Sequence, residues 1–354
     1  MLRKGTFILM KTKIQDMTSG SPGRLIILFA IPLMLGNICQ QLYTMVDTMV
    51  VGQVAGVEAL AALGAVDFLM WVVTGISTGL TQGFSIQLSQ YYGAKDFENL
   101  RKSLAHSYRL TAFIAAGVLI LSQSFASLVL TGLHTPSNII GMSLLYLRII
   151  FCGIPATAAY NMFASALRAM GNSKTPLTAM IIASVLNVSL DILFVAGFGW
   201  GVAGAAIATV IAQSFSAVYC FLILRRIDIV HLTRADFMPA SGMNARLMKL
   251  GIPVVFQNII IGVGGLVVQY VINGYGFLFV AGFTATNKLY GLLEMAAISY
   301  GYAIVTYVGQ NLGAEKIDRI RKGVRSSMLL SLLTSLIISA AMFLFGKNIL
   351  SLFI

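Results

Sequence analysis

Across 354 residues the chain is 58% hydrophobic and only 10% charged, with a formal net charge of +12 and a mean hydropathy of +0.86. A soluble domain carries about 25% charged residues, so this composition excludes a soluble enzyme built on one large core and describes a chain that crosses a membrane several times. The three cysteines, Cys39, Cys152 and Cys220, lie in or beside apolar runs, and their spacing suggests neither a metal site nor a disulfide framework.

The chain opens with a short apolar piece, Phe7-Ile8-Leu9-Met10, flanked by Arg3, Lys4, Lys11 and Lys13. That piece is too short for a signal-peptide core and lacks a small-residue cleavage site after it. Residues 1–23 therefore read as a cytosolic tail. Nine apolar segments follow, near residues 25–51, 58–83, 104–130, 138–164, 176–197, 202–224, 247–272, 277–309 and 326–345. Each reads as a helix, because an open strand edge leaves its backbone groups unsatisfied in hydrocarbon. The expected fold is an all-α polytopic membrane protein. Six spans fall in residues 24–224, a basic linker in 225–246, and three spans in 247–354.

The first span carries a polar stripe. At about 100° per residue, Asn37, Gln40, Gln41, Thr44, Asp47 and Thr48 fall within an arc of about 120°. Such a stripe faces other protein or a water-filled cavity, never lipid. Asp47 is its ionisable point.

The connecting loops alternate in charge. Of the 24 Lys and Arg residues, all but Arg148, Lys288 and Lys347 fall before span one or after spans two, four, six and eight. The opposite loops, 52–57, 131–137, 197–201 and 273–276, contain none. This positive-inside pattern predicts a cytosolic N-terminus. It also assigns the net charge to loops beside anionic lipid and excludes nucleic acid as a partner.

Four acidic residues lie within predicted spans: Asp47, Asp67, Asp191 and Glu294. An acid at membrane depth costs about 2.5–3.5 kcal/mol on insertion scales, which makes each a functional candidate. Asp47 comes five residues before Gly52, Asp191 six before Gly197, and Thr209 eight after Gly201. With a rise of about 1.5 Å per residue, all three sit roughly 8–12 Å below the outer surface. Asn187 shares the face of Asp191 one turn away. Thr209, Gln213 and Ser216 form the polar face of span six. Two carboxylates, an amide and a hydroxyl can meet there. They would hold a small hard cation such as Na⁺, or share a proton. Glu294 marks a second polar face on span eight, with Asn287 and Lys288 nearby. Pro32, Pro155 and Pro253 remove helix donors and can bend their spans.

An internal repeat is visible. The stretch Ala30-Ile31-Pro32 to Asn37 resembles Gly251-Ile252-Pro253 to Asn258, with Pro and Asn matching at a shift of 221, and Gln90, Gly93, Ala94, Arg101 and Lys102 match Gln310, Gly313, Ala314, Arg321 and Lys322 at a shift of 220. Parallel repeats of six-helix halves are a transporter architecture. The first copy holds six spans and the second three, which leads to the expectation of about three further helices in a complete protein, or a naturally shortened one. The metalloprotease signature His-Glu-x-x-His does not occur in the sequence.

Several stretches together resemble the multidrug and toxic compound extrusion (MATE) family. They include Tyr43-Thr44-Met45-Val46-Asp47-Thr48, Asn187-Val188-Ser189-Leu190-Asp191 and Val308-Gly309-Gln310-Asn311-Leu312-Gly313-Ala314. More specific are the stretches from Ala166-Leu167-Arg168-Ala169-Met170-Gly171-Asn172 to Pro176 and from Gly199-Trp200-Gly201 to Thr209. The resemblance covers essentially residues 24–345. It implies a two-lobe bundle of which about nine of twelve transmembrane helices are present. It also implies export of small amphipathic compounds, many of them cationic, by H⁺ or Na⁺ antiport, in a monomer without a bound cofactor. By the same resemblance, Asp47, Asn187, Asp191 and Thr209 form the ion network, Tyr146 joins it, and Pro32 is a switching element. A lipid-linked saccharide flippase of the same superfamily and a non-transporting fragment are the alternatives. The flippase would need a cationic cavity, for which the spans offer little.

Overall fold

The computed structural model describes residues 14–133, 135–273 and 277–350; for part of these, chiefly within 266–293 and 345–350, only the backbone is described. The basic residues Arg3, Lys4, Lys11 and Lys13, and Asn287 and Lys288 as side chains, lie outside that description.

Among the described residues ten α-helices follow one another: α1 (Pro22–Ala55), α2 (Val57–Gly93), α3 (Phe97–Gly132), α4 (Ile140–Cys152), α5 (Ile154–Ala169), α6 (Lys174–Asp191), α7 (Gly201–Leu224), α8 (Met243–Asn273), α9 (Phe277–Gly313) and α10 (Ile317–Leu350). Six are long and apolar enough to cross a membrane among the described residues, and two further spans arise if each bent pair is counted as one. The region expected as one span at 138–164 is such a pair. It bends by 46° where α4 gives way to α5 at Gly153, just before Pro155. Proline lacks the N–H that would continue the ladder, and α1 and α8 absorb the same defect differently, running on as single helices through Pro32 and Pro253.

The repeat is visible in the helix bounds. α2 and α9 are each 37 residues long and offset by 220 residues, and α3 and α10 begin at the same offset. Both long helices end alike. The amides of Ala94 and Ala314 donate to the carbonyls of Gln90 and Gln310 at 2.9 and 3.0 Å. Lys95 and Glu315, one residue further on, both adopt φ 57°, a left-handed conformation that is uncommon for residues other than glycine.

These two helix ends meet at the end of the bundle that carries the basic loops. A Cβ at Gly93 would collide with the Gln310 carbonyl, and one at Gly313 with the Gln90 carbonyl. Along α2, Gly75, Gly79 and Gly83 recur every fourth residue and let α8 approach. A Cβ at Gly79 would lie 2.9 Å from the Val255 backbone, and Gly83 faces Gly251. Small residues allow this kind of backbone approach in membranes, where burial of apolar area adds no drive. The Asn258 amide donates to the Gly75 carbonyl at 3.0 Å across the same seam.

Three cores result. Leu80, Phe84, Leu100, Leu104, Leu167 and Leu247 centre one near the basic end. Val51, Val66, Leu130, Leu147 and Phe151 centre another towards the opposite end. A third joins the two repeats directly, with Met17, Ile26, Phe29 and Leu33 packed on Tyr300, Ala303 and Tyr307.

Candidate functional site

Four helices of the first repeat bring polar side chains to its interior, towards the end away from the basic loops. α1 contributes Tyr43 and Asp47, α4 contributes Tyr146, α6 contributes Asn187 and Asp191, and α7 contributes Thr209, Gln213 and Ser216. Asp47 is 5% exposed, and Asn187 and Asp191 are fully buried.

Local structure explains why Asp191 can face inward. α6 stops being α-helical immediately after it, and Ile192–Gly197 form a π-helical turn closed by the Phe198 amide donating to the Leu193 carbonyl at 2.9 Å. Wide turns of this kind occur mostly as interruptions at functional sites. Gly204 on α7 makes room for the turn, since a Cβ there would lie 3.0 Å from that of Phe194. Phe194, Phe198 and Trp200 stack outside it with centroids 5.1 to 6.0 Å apart, as aromatic residues do at a membrane interface.

Two hydrogen bonds organise the amides. Asn187 Nδ2 donates to Thr209 Oγ1 at 3.4 Å, and Gln213 Nε2 donates to the Tyr43 hydroxyl at 3.4 Å. The acceptors are left over. Asp47 Oδ1, Asn187 Oδ1, Asp191 Oδ1, Asp191 Oδ2 and Gln213 Oε1 are buried without a hydrogen-bond partner, as is the Ser216 hydroxyl. The Asp47 and Asp191 carboxylates act on each other electrostatically, and both act on Tyr43 and Tyr146. Asp67 also acts on Asp47. Buried polar atoms are almost always paired, and an uncompensated buried carboxylate costs several kcal/mol. A collection of lone acceptors of this kind suits a small hard cation or a proton, either of which supplies the missing partner.

The other candidates are dispersed. Asn37 donates to Ser299 Oγ at 3.2 Å and so links α1 to α9. Gln40 and Thr44 are exposed, and Gln41 is half-buried. The expected stripe on α1 is therefore buried fully at Asp47 alone. Pro32 is buried within α1. Glu294 is exposed on α9, which contributes no side chain to the cluster. Tyr43 belongs to the cluster although only its place in a motif pointed to it.

A second polar cluster, at the basic end, was not expected as a unit. Residues 15–20 cross from one repeat to the other. The Gln15 amide donates to the Gly171 carbonyl at 3.2 Å. Asn311 Nδ2 donates to the Met17 carbonyl at 2.9 Å, Lys316 Nζ to that of Thr18 at 2.9 Å, and Arg319 Nη1 to that of Gly20 at 2.9 Å. Outside the spans, Asp16 turns this segment. Burial alone would raise its carboxyl, but hydrogen bonds from Thr18 and Ser19 and the charge of Lys316 outweigh that and hold it below the usual range. The available signal was the repeated Gln90 and Gln310.

The MatE family model matches residues 32–193 and 253–354. The chain belongs to the MatE family. Its membrane-transporter fold is accordingly the one expected, and it is not an enzyme. Among similar proteins are two from Bacillus subtilis (strain 168), the probable multidrug resistance proteins YoeA and YpnP. YoeA is 28% identical over 348 residues, covering 96% of this chain and 75% of that protein. YpnP is 31% identical over 308 residues, covering 87% and 69%. Among solved structures, a MOP-superfamily transporter from Pyrococcus furiosus superposes with a TM-score of 0.91 at 23% identity, covering 97% of this chain and 76% of that one. That likeness concerns the MatE fold alone.

Proposed function

We propose that this MatE-family chain is a secondary active exporter of small amphipathic drugs and toxins, driven by entry of H⁺ or Na⁺ at Asp47 and Asp191. One observation carries the reading: the buried oxygens of Asp47, Asn187 and Asp191 have no hydrogen-bond partner, while Thr209 is bonded to Asn187 and orients its amide. The names of the relatives YoeA and YpnP support export of drugs. Loop charge makes the basic end cytosolic.

In this proposal the interlock of α2, α9 and residues 15–20 closes the cytosolic side, and substrate leaves towards the other. An ion arriving from outside pairs with the lone carboxylate oxygens. It drives transport only because it binds the two arrangements unequally.

The test is dye efflux from reconstituted vesicles under a pure pH gradient and then under a pure sodium gradient. Efflux is expected under at least one gradient, and it is lost in Asp47→Asn and in Asp191→Asn while both variants insert normally. Efflux of wild-type size from Asp47→Asn would overturn the reading.

A further inference from the structure

Two cavities on the outside of the first repeat share a wall. One, of about 390 Å³, opens at the basic end beside Arg225, His231 and Phe237. The other, of about 360 Å³, runs along α3 and α5 between Ala112, Ala116, Pro155 and Ala159. Tyr108 and Phe221 line both. The second cavity lies against the first turns of α5, just past the 46° bend at the α4–α5 break. The facing residues are alanines, too small to refill the gap. Its lining is apolar except for Tyr108 and Thr111, and the Thr111 hydroxyl is buried without a partner.

The two spaces differ in chemistry. The inner wall is a run of rings, Tyr108 to Phe163 at 5.3 Å and Phe163 to Phe221 at 5.2 Å. The Arg225 guanidinium stands 5.7 Å above the Phe221 ring. Arg225 is exposed and takes part in neither of the ion pairs found among the described residues. Arg109 adds positive charge beside the mouth, its guanidinium donating to the Phe237 carbonyl at 2.9 Å, and the exposed Arg226 and Arg234 lie within three residues of lining residues in the chain. Of the acids near it, Asp236 is occupied by Thr233 and Arg101, which leaves the exposed Asp228. Phe113 on α3 and Val218 and Leu222 on α7 are exposed as lipid-facing side chains are.

We infer that this groove binds one anionic phospholipid from the leaflet on the basic side. Its phosphate lies against Arg225 and His231, and one acyl chain enters the alanine-lined slot. Charge complementarity selects the occupant. Basic pockets beside membrane helices take acidic head groups, and a slot this apolar offers a water-soluble anion nothing. The lipid would fill the space between α3 and α5 beside the α4–α5 break.

Native mass spectrometry of the purified chain with phosphatidylglycerol, phosphatidylcholine and free glycerol phosphate tests this. One phosphatidylglycerol is expected to be retained in preference to phosphatidylcholine, without competition from glycerol phosphate. Arg225→Gln is expected to weaken retention roughly fivefold, Arg225→Lys to restore most of it, and Ala116→Phe to abolish it by filling the slot. Both sites are exposed, so neither substitution disturbs a core. Equal retention of the two lipids, displacement by glycerol phosphate, or wild-type retention in Arg225→Gln would overturn the inference.

Discussion

The side-chain amide of Gln310 is held at both ends, and one of its partners is Met17. Its Oε1 accepts from the Met17 amide at 3.0 Å, while its Nε2 donates to the Ala169 carbonyl at 2.8 Å. Gln310 belongs to the second repeat, Ala169 to the first, and Met17 to the segment that runs between them. All three are buried. One residue thus ties three parts of the chain at the point where the two repeats cross.

Gln310→Ala leaves the Met17 amide and the Ala169 carbonyl without partners, a loss of about 1–3 kcal/mol for each buried group. The closed basic end is expected to lose population. Spin labels at Glu98→Cys and Asp318→Cys, exposed positions 220 residues apart, would report it in a background with Cys39, Cys152 and Cys220 replaced by serine. The distance distribution between the labels should broaden to longer values. An unchanged distribution would show that the tie does not control closure.

Gly93 and Gly313 make a matched pair of predictions. A methyl group at either position runs into the carbonyl of Gln310 or Gln90, and overpacking of this kind costs about 1–3 kcal/mol. Gly93→Ala and Gly313→Ala should each reduce efflux and lengthen the same label distance. The two glycines act on one contact, so the double variant should fall short of the sum of its parts. Full additivity would mean that the two ends pack independently.

The sequence carried much of this fold and the site's outline. Span length and the 220-residue repeat anticipated long helices at a fixed offset because a bilayer restricts the choices so strongly. Asp47, Asn187 and Asp191 were legible as candidates because acids and amides are expensive at that depth, and Thr209 through its depth and the motif around it. The break at Gly153 was not, since Pro32 and Pro253 have the same local chemistry and leave their helices whole. Packing against neighbouring helices decides that outcome. The interlock around Gln310 was hidden for a related reason. Its partners at Met17, Thr18 and Gly20 are mainly backbone carbonyls, which every residue has. The contact of Gly75, Gly79 and Gly83 with α8 was not anticipated either.

Acidity should act on the basic-end segment only at low pH. The Asp16 carboxyl is held below its ordinary 3.8 in the folded chain, net of a burial effect that pushes the other way. A lowered value contributes stability above the unfolded pKa, which is lost as pH falls through the folded one. Asp16 is exposed and screened by solvent, so the effect is small. Between pH 6 and 8 the contribution is constant. Asp16→Asn should therefore leave the shape of the efflux–pH profile in that range unchanged. A shifted profile would place the proton-sensitive step at this segment.

The ion cluster predicts an opposite pairing of stability and activity. In wild type, two carboxylates that repel each other are buried with oxygens unpaired. Asp191→Asn removes one negative charge and supplies an N–H₂ donor, so the variant should melt at a higher temperature than wild type in sodium-free buffer at alkaline pH. Added sodium, or acidification, should raise the melting temperature of wild type, because a ligand that binds only the folded state stabilises it. In Asp191→Asn that response should shrink or vanish, together with ion-driven efflux. Thermal unfolding in detergent across a sodium series at fixed pH, and a pH series without sodium, separates the two ions. A variant that is less stable than wild type and keeps the full ion response would show that Asp191 is a structural carboxylate and that the cation binds elsewhere.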